Sequence, residues 1–167
     1  MNVIFGVRSN LTYYLKNTLS NSIVLNANEA SKLIELSRKS KKINIIINSF
    51  QNNLGLNDLT NPEGYIENSL VSLSRIVQII LLLENSINKV IYTSSSSVYS
   101  NNKHCSENDD IVSTTLHSSL KISSEFMLKH YLKSKNLKLI ITRLFNMYGG
   151  NDKYSIISKI INAYNNK

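Results

Sequence analysis

Short β-branched runs alternate along the chain with longer segments whose apolar residues recur at three- and four-residue spacing. The runs NVIF (Asn2–Phe5), SIVL (Ser22–Leu25) and INIII (Ile43–Ile47), with KVIYT (89–93) and LKLIIT (137–142), predict five strands. Helical spacing between and after them predicts helices over 11–19, 29–39, 62 to about 87, 116–133 and 154–164. Ser9 or Asn10 can cap the first helix; Thr60 or Asn61 can cap the third, with Pro62 near its first position. An almost wholly apolar strand such as INIII is what a sheet covered on both faces requires. Five strand–helix units in strict alternation therefore predict right-handed crossovers and an α/β fold of three layers: a doubly wound parallel sheet of about five strands with helices on both faces. Ligands of such sheets bind beyond the carboxyl ends of the strands, which directs attention to the residues just after Phe5, Leu25, Ile47, Thr93 and Thr142.

Composition adds exclusions. The 167 residues, 42% of them hydrophobic, suit one domain spanning 1–167. The one cysteine, Cys105, forms no internal disulfide and no cysteine-rich zinc site. His104, His117 and His130 have no i, i+4 pairing, so no metal site is expected. MNVIFGVRSN has no apolar stretch of signal-peptide length, and the longest apolar run, 76–83, is broken at Gln78 and falls well short of the roughly 20 residues that span a bilayer. A cytoplasmic chain without membrane contact is the expectation. The formal charge of +8 raises nucleic acid as a partner, but the lysines are scattered and the densest cluster, 38–42, holds four cations. Nucleic-acid binding is therefore not expected. Asparagine makes up about one residue in seven, a bias of the kind genome base composition produces.

The strand ends carry the chemistry. After the first comes Gly6-Val-Arg-Ser-Asn-Leu-Thr12, a turn into a helix whose N-terminus is an anion site in principle, with Arg8 available to pair with a phosphate. After the fourth come SSSSVYS (94–100), the acidic SENDD (106–110), and then His117, Lys121 and Glu125 at four-residue spacing on one helix. After the fifth comes RLFNMYGGND (143–152). With VIYTSSSSVYS and NPEGYIEN (61–68), these segments in this order resemble the NAD(P)-dependent epimerase/dehydratase family, the extended short-chain dehydrogenases. The resemblance covers nearly the whole chain and implies a Rossmann-like fold, NAD or NADP as cofactor and a nucleotide sugar as partner. It also implies a homodimer through the long helices.

What the resemblance implies for individual residues follows position by position. The family's lysine matches Lys121, which would hold the nicotinamide ribose and tune the acid/base group; its serine matches Ser95, with Ser96 beside it to touch substrate. His117 stands where the family has tyrosine. An imidazole there is biased towards neutrality by Lys121 and can exchange a proton near neutral pH, though it is shorter than a phenol. Of three glycines expected in the cofactor loop, Gly6 is present, while Ser9 and Thr12 replace the others with small hydroxyl residues. Asn26 stands where an acid normally holds the adenine ribose. Asn146 matches a position that contacts the substrate diphosphate, or else forms the turn beside Gly149 and Gly150. Asn68 matches an asparagine near the active site, or else is a buried polar group satisfied by neighbouring backbone. Members of the family continue into a small C-terminal lobe that closes over the sugar, which the residues up to Lys167 do not include. Two readings follow. The chain is the cofactor domain of a nucleotide-sugar epimerase, dehydratase or reductase transferring hydride at a sugar carbon, or it is a non-catalytic, degenerate Rossmann module that binds a nucleotide or a protein partner.

Overall fold

Apolar residues that cannot be solvated on either face place β1 (Asn2–Phe5) and β3 (Ile43–Ile47) at the centre of the molecule, where Val3, Ile4, Phe5, Ile43, Ile45 and Ile47 are wholly buried. A computed structural model describes residues 1–7, 9–48, 61–99, 105–150, 152 and 155–165. With β2 (Ser22–Leu25), β4 (Ile87–Ser95) and β5 (Leu139–Leu144), these strands form one parallel sheet in the order β2-β1-β3-β4-β5. The helices are α1 (Asn10–Thr18), α2 (Lys32–Lys39), α3 (Pro62–Ile66), α4 (Ser72–Leu82), α5 (Leu116–Ser134) and α6 (Ile156–Asn165). The fold is Rossmann-like, as the alternation predicts.

The chain leaves β1 for β2 on one side and returns to β3 on the other, so the topological switch lies between β1 and β3. The six-strand dinucleotide order 3-2-1-4-5-6, stripped of its outermost strand and renumbered, begins with this arrangement. Among the described residues β2 and β5 are the two edges.

Several element ends differ from the pattern. β4 extends to Ser95 and β5 to Leu144 because Ser94 pairs with Arg143 and Ser95 with Leu144, so the ladder overrides the low strand preference of serine. The third predicted helix ends at Leu82 and changes winding on the way. Residues Glu67–Val71 form a π-helical turn between α3 and α4, where Ser72 Oγ donates to Glu67 O at 2.9 Å and Ser69 Oγ to Tyr65 O at 2.5 Å. Asn68, in that turn, donates to Gly64 O at 2.7 Å but is exposed rather than buried. Asn61 supplies the cap, accepting from Gly64 N at 2.8 Å, with Pro62 at the first turn; Thr60 lies outside the described residues. Taken whole, Pro62–Leu82 is long and apolar enough to cross a bilayer, more so than the run 76–83 suggests. In this fold Leu73, Ile76, Val77 and Ile80 of that stretch are buried in the core cluster with the strands. α6 buries none of its residues.

Candidate functional site at the carboxyl ends of the strands

Each strand delivers a polar residue to the same rim. β1 is followed by Gly6, whose φ of +123° belongs to glycine and whose Cβ, if it had one, would stand 3.1 Å from Asn48 Cβ. Ser9, not Asn10, caps α1: its Oγ accepts from Thr12 N at 3.1 Å. Thr12, buried, donates from Oγ1 to Gly6 O at 2.5 Å. From the end of β3, buried Asn48 donates through Nδ2 to Ser9 Oγ and, at 2.9 Å, to Thr12 Oγ1. Its Oδ1 accepts from Thr93 Oγ1 at 3.0 Å. Thr93 belongs to β4, and its carbonyl accepts from Lys121 Nζ at 2.9 Å. Thus the Ser9 and Thr12 hydroxyls are tied through Asn48 to the strand against which Lys121 is seated.

Lys121 is 4% exposed and lies 5.1 Å from the centre of the Tyr92 ring. Burial drives its ammonium down to about 8, with nearby Glu125 partly offsetting the shift. One turn earlier on the same face, His117 is half-buried, and its Nδ1 is inaccessible and without a hydrogen-bond partner. Burial first and the Lys121 charge second hold this imidazole below its usual range, so it is neutral at neutral pH. The N-terminus of α5 that positions both is fixed by a capping box, in which Thr115 Oγ1 accepts from Ser118 N at 3.1 Å and Ser118 Oγ from Thr115 N at 2.9 Å.

One turn further along, Glu125 is completely buried. Burial works to raise its carboxyl, but bonds from Arg143 (3.1 and 2.9 Å) and Ser94 Oγ (2.5 Å) outweigh that and hold it low. Arg143 also donates to Tyr99 Oη at 2.9 Å and to Glu107 O at 3.3 Å, stapling the acidic loop to β5.

Ser95 follows Thr93 on β4 and caps the short turn Ser96–Val98, accepting from Ser97 N at 3.2 Å. Ser96 is half-exposed beside it, and Ser97 Oγ is buried without a partner. Asn146 lies exposed two residues beyond Leu144, the register partner of Ser95. Asn26, past β2, caps the single turn Ala27–Glu29 with its Oδ1. Arg8 is outside the described residues. Among the described residues no cluster of metal-ligating side chains occurs. Asn48, Thr93, Ser94 and Arg143 went unrecognised as site residues in sequence reasoning. Asn48 directly follows the third predicted strand, Thr93 and Ser94 lie in VIYTSSSSVYS and Arg143 opens RLFNMYGGND, so each stood at a strand end without its partners being readable.

The model of the NAD dependent epimerase/dehydratase family matches residues 7–167. The chain belongs to that family. No curated protein matches it. Among solved structures it is similar to UDP-N-acetylglucosamine 4-epimerase from Methanobrevibacter ruminantium M1 in complex with UDP-N-acetylmuramic acid, at 23% identity and a TM-score of 0.72, over 99% of this chain and 55% of that one. It is likewise similar to UDP-glucuronic acid 4-epimerase from Bacillus cereus in complex with UDP-glucuronic acid and NAD, at 14% identity and a TM-score of 0.73, over 99% and 63%. A third, UDP-glucose 4-epimerase from Brucella ovis in complex with NAD, matches at 17% identity and a TM-score of 0.69, over 90% and 53%. At these identities the likeness is one of fold, and the chain spans little more than half the length of these epimerases.

The residues present suit a dinucleotide. A glycine with positive φ allows the tight turn, α1 begins at the switch crevice with the amides of Asn10 and Leu11 ahead of the first intrahelical bond, and a buried ammonium stands beyond β4.

Proposed function

We propose that the chain is the cofactor domain of an NAD(P)-dependent nucleotide-sugar epimerase, dehydratase or reductase. The observation that carries this reading is Lys121: a buried ammonium held by Thr93 O at a parallel strand end, one helical turn from an imidazole, with Ser95 two residues past Thr93 on the same strand. A bound nicotinamide supplies hydride acceptance and donation at a sugar carbon. The protein's own residues supply the rest. Gly6, Ser9 and the α1 N-terminus receive the pyrophosphate, and Arg8 pairs with it by charge; Asn26 meets the adenine ribose. Lys121 fixes the nicotinamide ribose, while burial first and the Lys121 charge second keep His117 neutral and able to take a proton from the sugar hydroxyl. Ser95 orients that hydroxyl, while Ser96 and Asn146 meet the sugar and its diphosphate. A cytoplasmic homodimer through the long helices fits the exposed Leu82, Phe126 and Tyr131 on α4 and α5.

Saturable quenching of NADH or NADPH fluorescence, with a matching rise in melting temperature, is the expected result. No shift at millimolar cofactor overturns the reading. The interlocked Ser9 and Thr12 hydroxyls favour a second reading, the degenerate module binding a nucleotide or a protein partner without turnover. In that case the triple substitution Ser9→Gly, Thr12→Gly, His117→Tyr gains cofactor binding or turnover that the native chain lacks.

A further inference from the structure

The loop that replaces two glycines is internally bonded through one side chain, and among the described residues Thr93 Oγ1 shares its proton between Asn48 Oδ1 and Ile47 O. Asn48 Nδ2 has two hydrogens and gives them to Ser9 Oγ and Thr12 Oγ1; its Oδ1 takes the Thr93 hydroxyl. Thr12 spends its own proton on Gly6 O, so it must accept from Asn48. The amide orientation is therefore imposed by its partners: reversed, Oδ1 would face a Thr12 oxygen whose proton is already committed. Ser9 Oγ accepts from both Asn48 and Thr12 N, which leaves its hydroxyl proton, among the described residues, with one long contact, 3.4 Å, to Thr12 Oγ1. The position of Asn48 is equally constrained, since its Cβ fills the space that the missing Cβ of Gly6 leaves open. Three glycines open a phosphate loop by lacking side chains; here side chains are present and one amide arranges them.

We propose that Asn48 is the positioning residue of this loop, orienting Ser9 so that its O–H donates to a phosphate oxygen of a bound dinucleotide. The inference rests on the cofactor reading given above. Asn48 touches no cofactor atom in this scheme. It acts through Ser9 and Thr12, so its effect depends on their hydroxyls. An aspartate at 48 has the same shape but no protons to give: it would draw the Ser9 proton to itself and set a negative charge beside the anion site.

The test is a cycle of variants on the full chain: Asn48→Ala, Asn48→Asp, the double variant Ser9→Gly/Thr12→Gly, and Asn48→Ala in that double background. NADH affinity is read by fluorescence well below each melting temperature, and stability by urea unfolding. Asn48→Ala is expected to weaken NADH about tenfold, the loss of roughly one well-made hydrogen bond, and Asn48→Asp to weaken it further. In the glycine background Asn48→Ala is expected to change affinity little, and the unfolding effects are expected to be non-additive. A merely structural Asn48 would lower stability and leave affinity of the folded protein unchanged in both backgrounds, and that result overturns the proposal. If the native chain binds no NADH, the cofactor reading fails by itself. The unfolding cycle then decides whether Asn48 acts through the two hydroxyls, additivity again overturning the inference.

Discussion

Lys121 holds a positive charge where water does not reach, and that fact has a measurable consequence. Its folded value is about 8 against 10.5 for the free side chain, so between these values the unfolded chain binds more protons than the native one. Stability contributed by this group therefore rises with pH from about 8 upward and is flat below, by about 3 kcal/mol across the full interval. Tyr92, pushed up to about 12 by burial, works in the opposite direction above its ordinary value of 10.0, so the clean window is pH 8 to 10. Urea unfolding of the native chain against Lys121→Met at pH 7, 8, 9 and 10 is expected to show the native chain gaining on the variant above pH 8. A constant difference would mean that the ammonium is hydrated. Four-residue spacing made it legible that Lys121 and His117 share one helix face, and the family resemblance singled them out. Asn48 was not legible, because its partners Ser9, Thr12 and Thr93 lie 39, 36 and 45 residues away.

At the scale of elements, one buried ion pair fastens the site together. Glu125 from α5, Ser94 from β4 and Arg143 from β5 converge, and Arg143 reaches Tyr99 and the acidic loop as well. Removing one partner leaves the other's charge buried and unpaired. Glu125→Gln is expected to lower unfolding free energy by roughly 3 kcal/mol at neutral pH, and Glu125→Gln/Arg143→Met by less than the sum of the single changes. Urea denaturation measures both, and a neutral Glu125→Gln would show that the pair is solvated. The stabilisation from Glu125 is present above the ordinary carboxylate range and is lost on acidification as the pH falls through its lowered value. Spacing placed Glu125 on the Lys121 face of α5, but only the parallel register of β4 with β5 brings Arg143 to it. The ends of β4 and β5 were hidden for the same reason: serine prefers other conformations, and a neighbouring strand decides otherwise.

Across the whole molecule, order is concentrated in the middle strands and thins towards both flanks. β3 and β4 are paired on both sides and packed by α4 and α5, whereas β2 is an edge and α6 leaves Ile156, Ile160, Ile161 and Tyr164 exposed. Hydrogen exchange followed by mass spectrometry is expected to show β3 and β4 amides exchanging only through global unfolding and α6 amides exchanging orders of magnitude faster. Protection of α6 equal to that of β4 would place a packing partner on it. Alternation of apolar patterns by itself determined the α/β class, the number of strands and the rim on which the chemistry lies, because strand and helix periodicities are local properties of the chain. The motifs in their order determined the family. Strand order, the edge at β2, the seat of Lys121 on Thr93 and the Asn48 linkage were decided only by the tertiary structure. Each depends on which distant segments are neighbours in the sheet, and the free energy that selects those neighbours comes from burial of the whole core, which no short window of sequence contains.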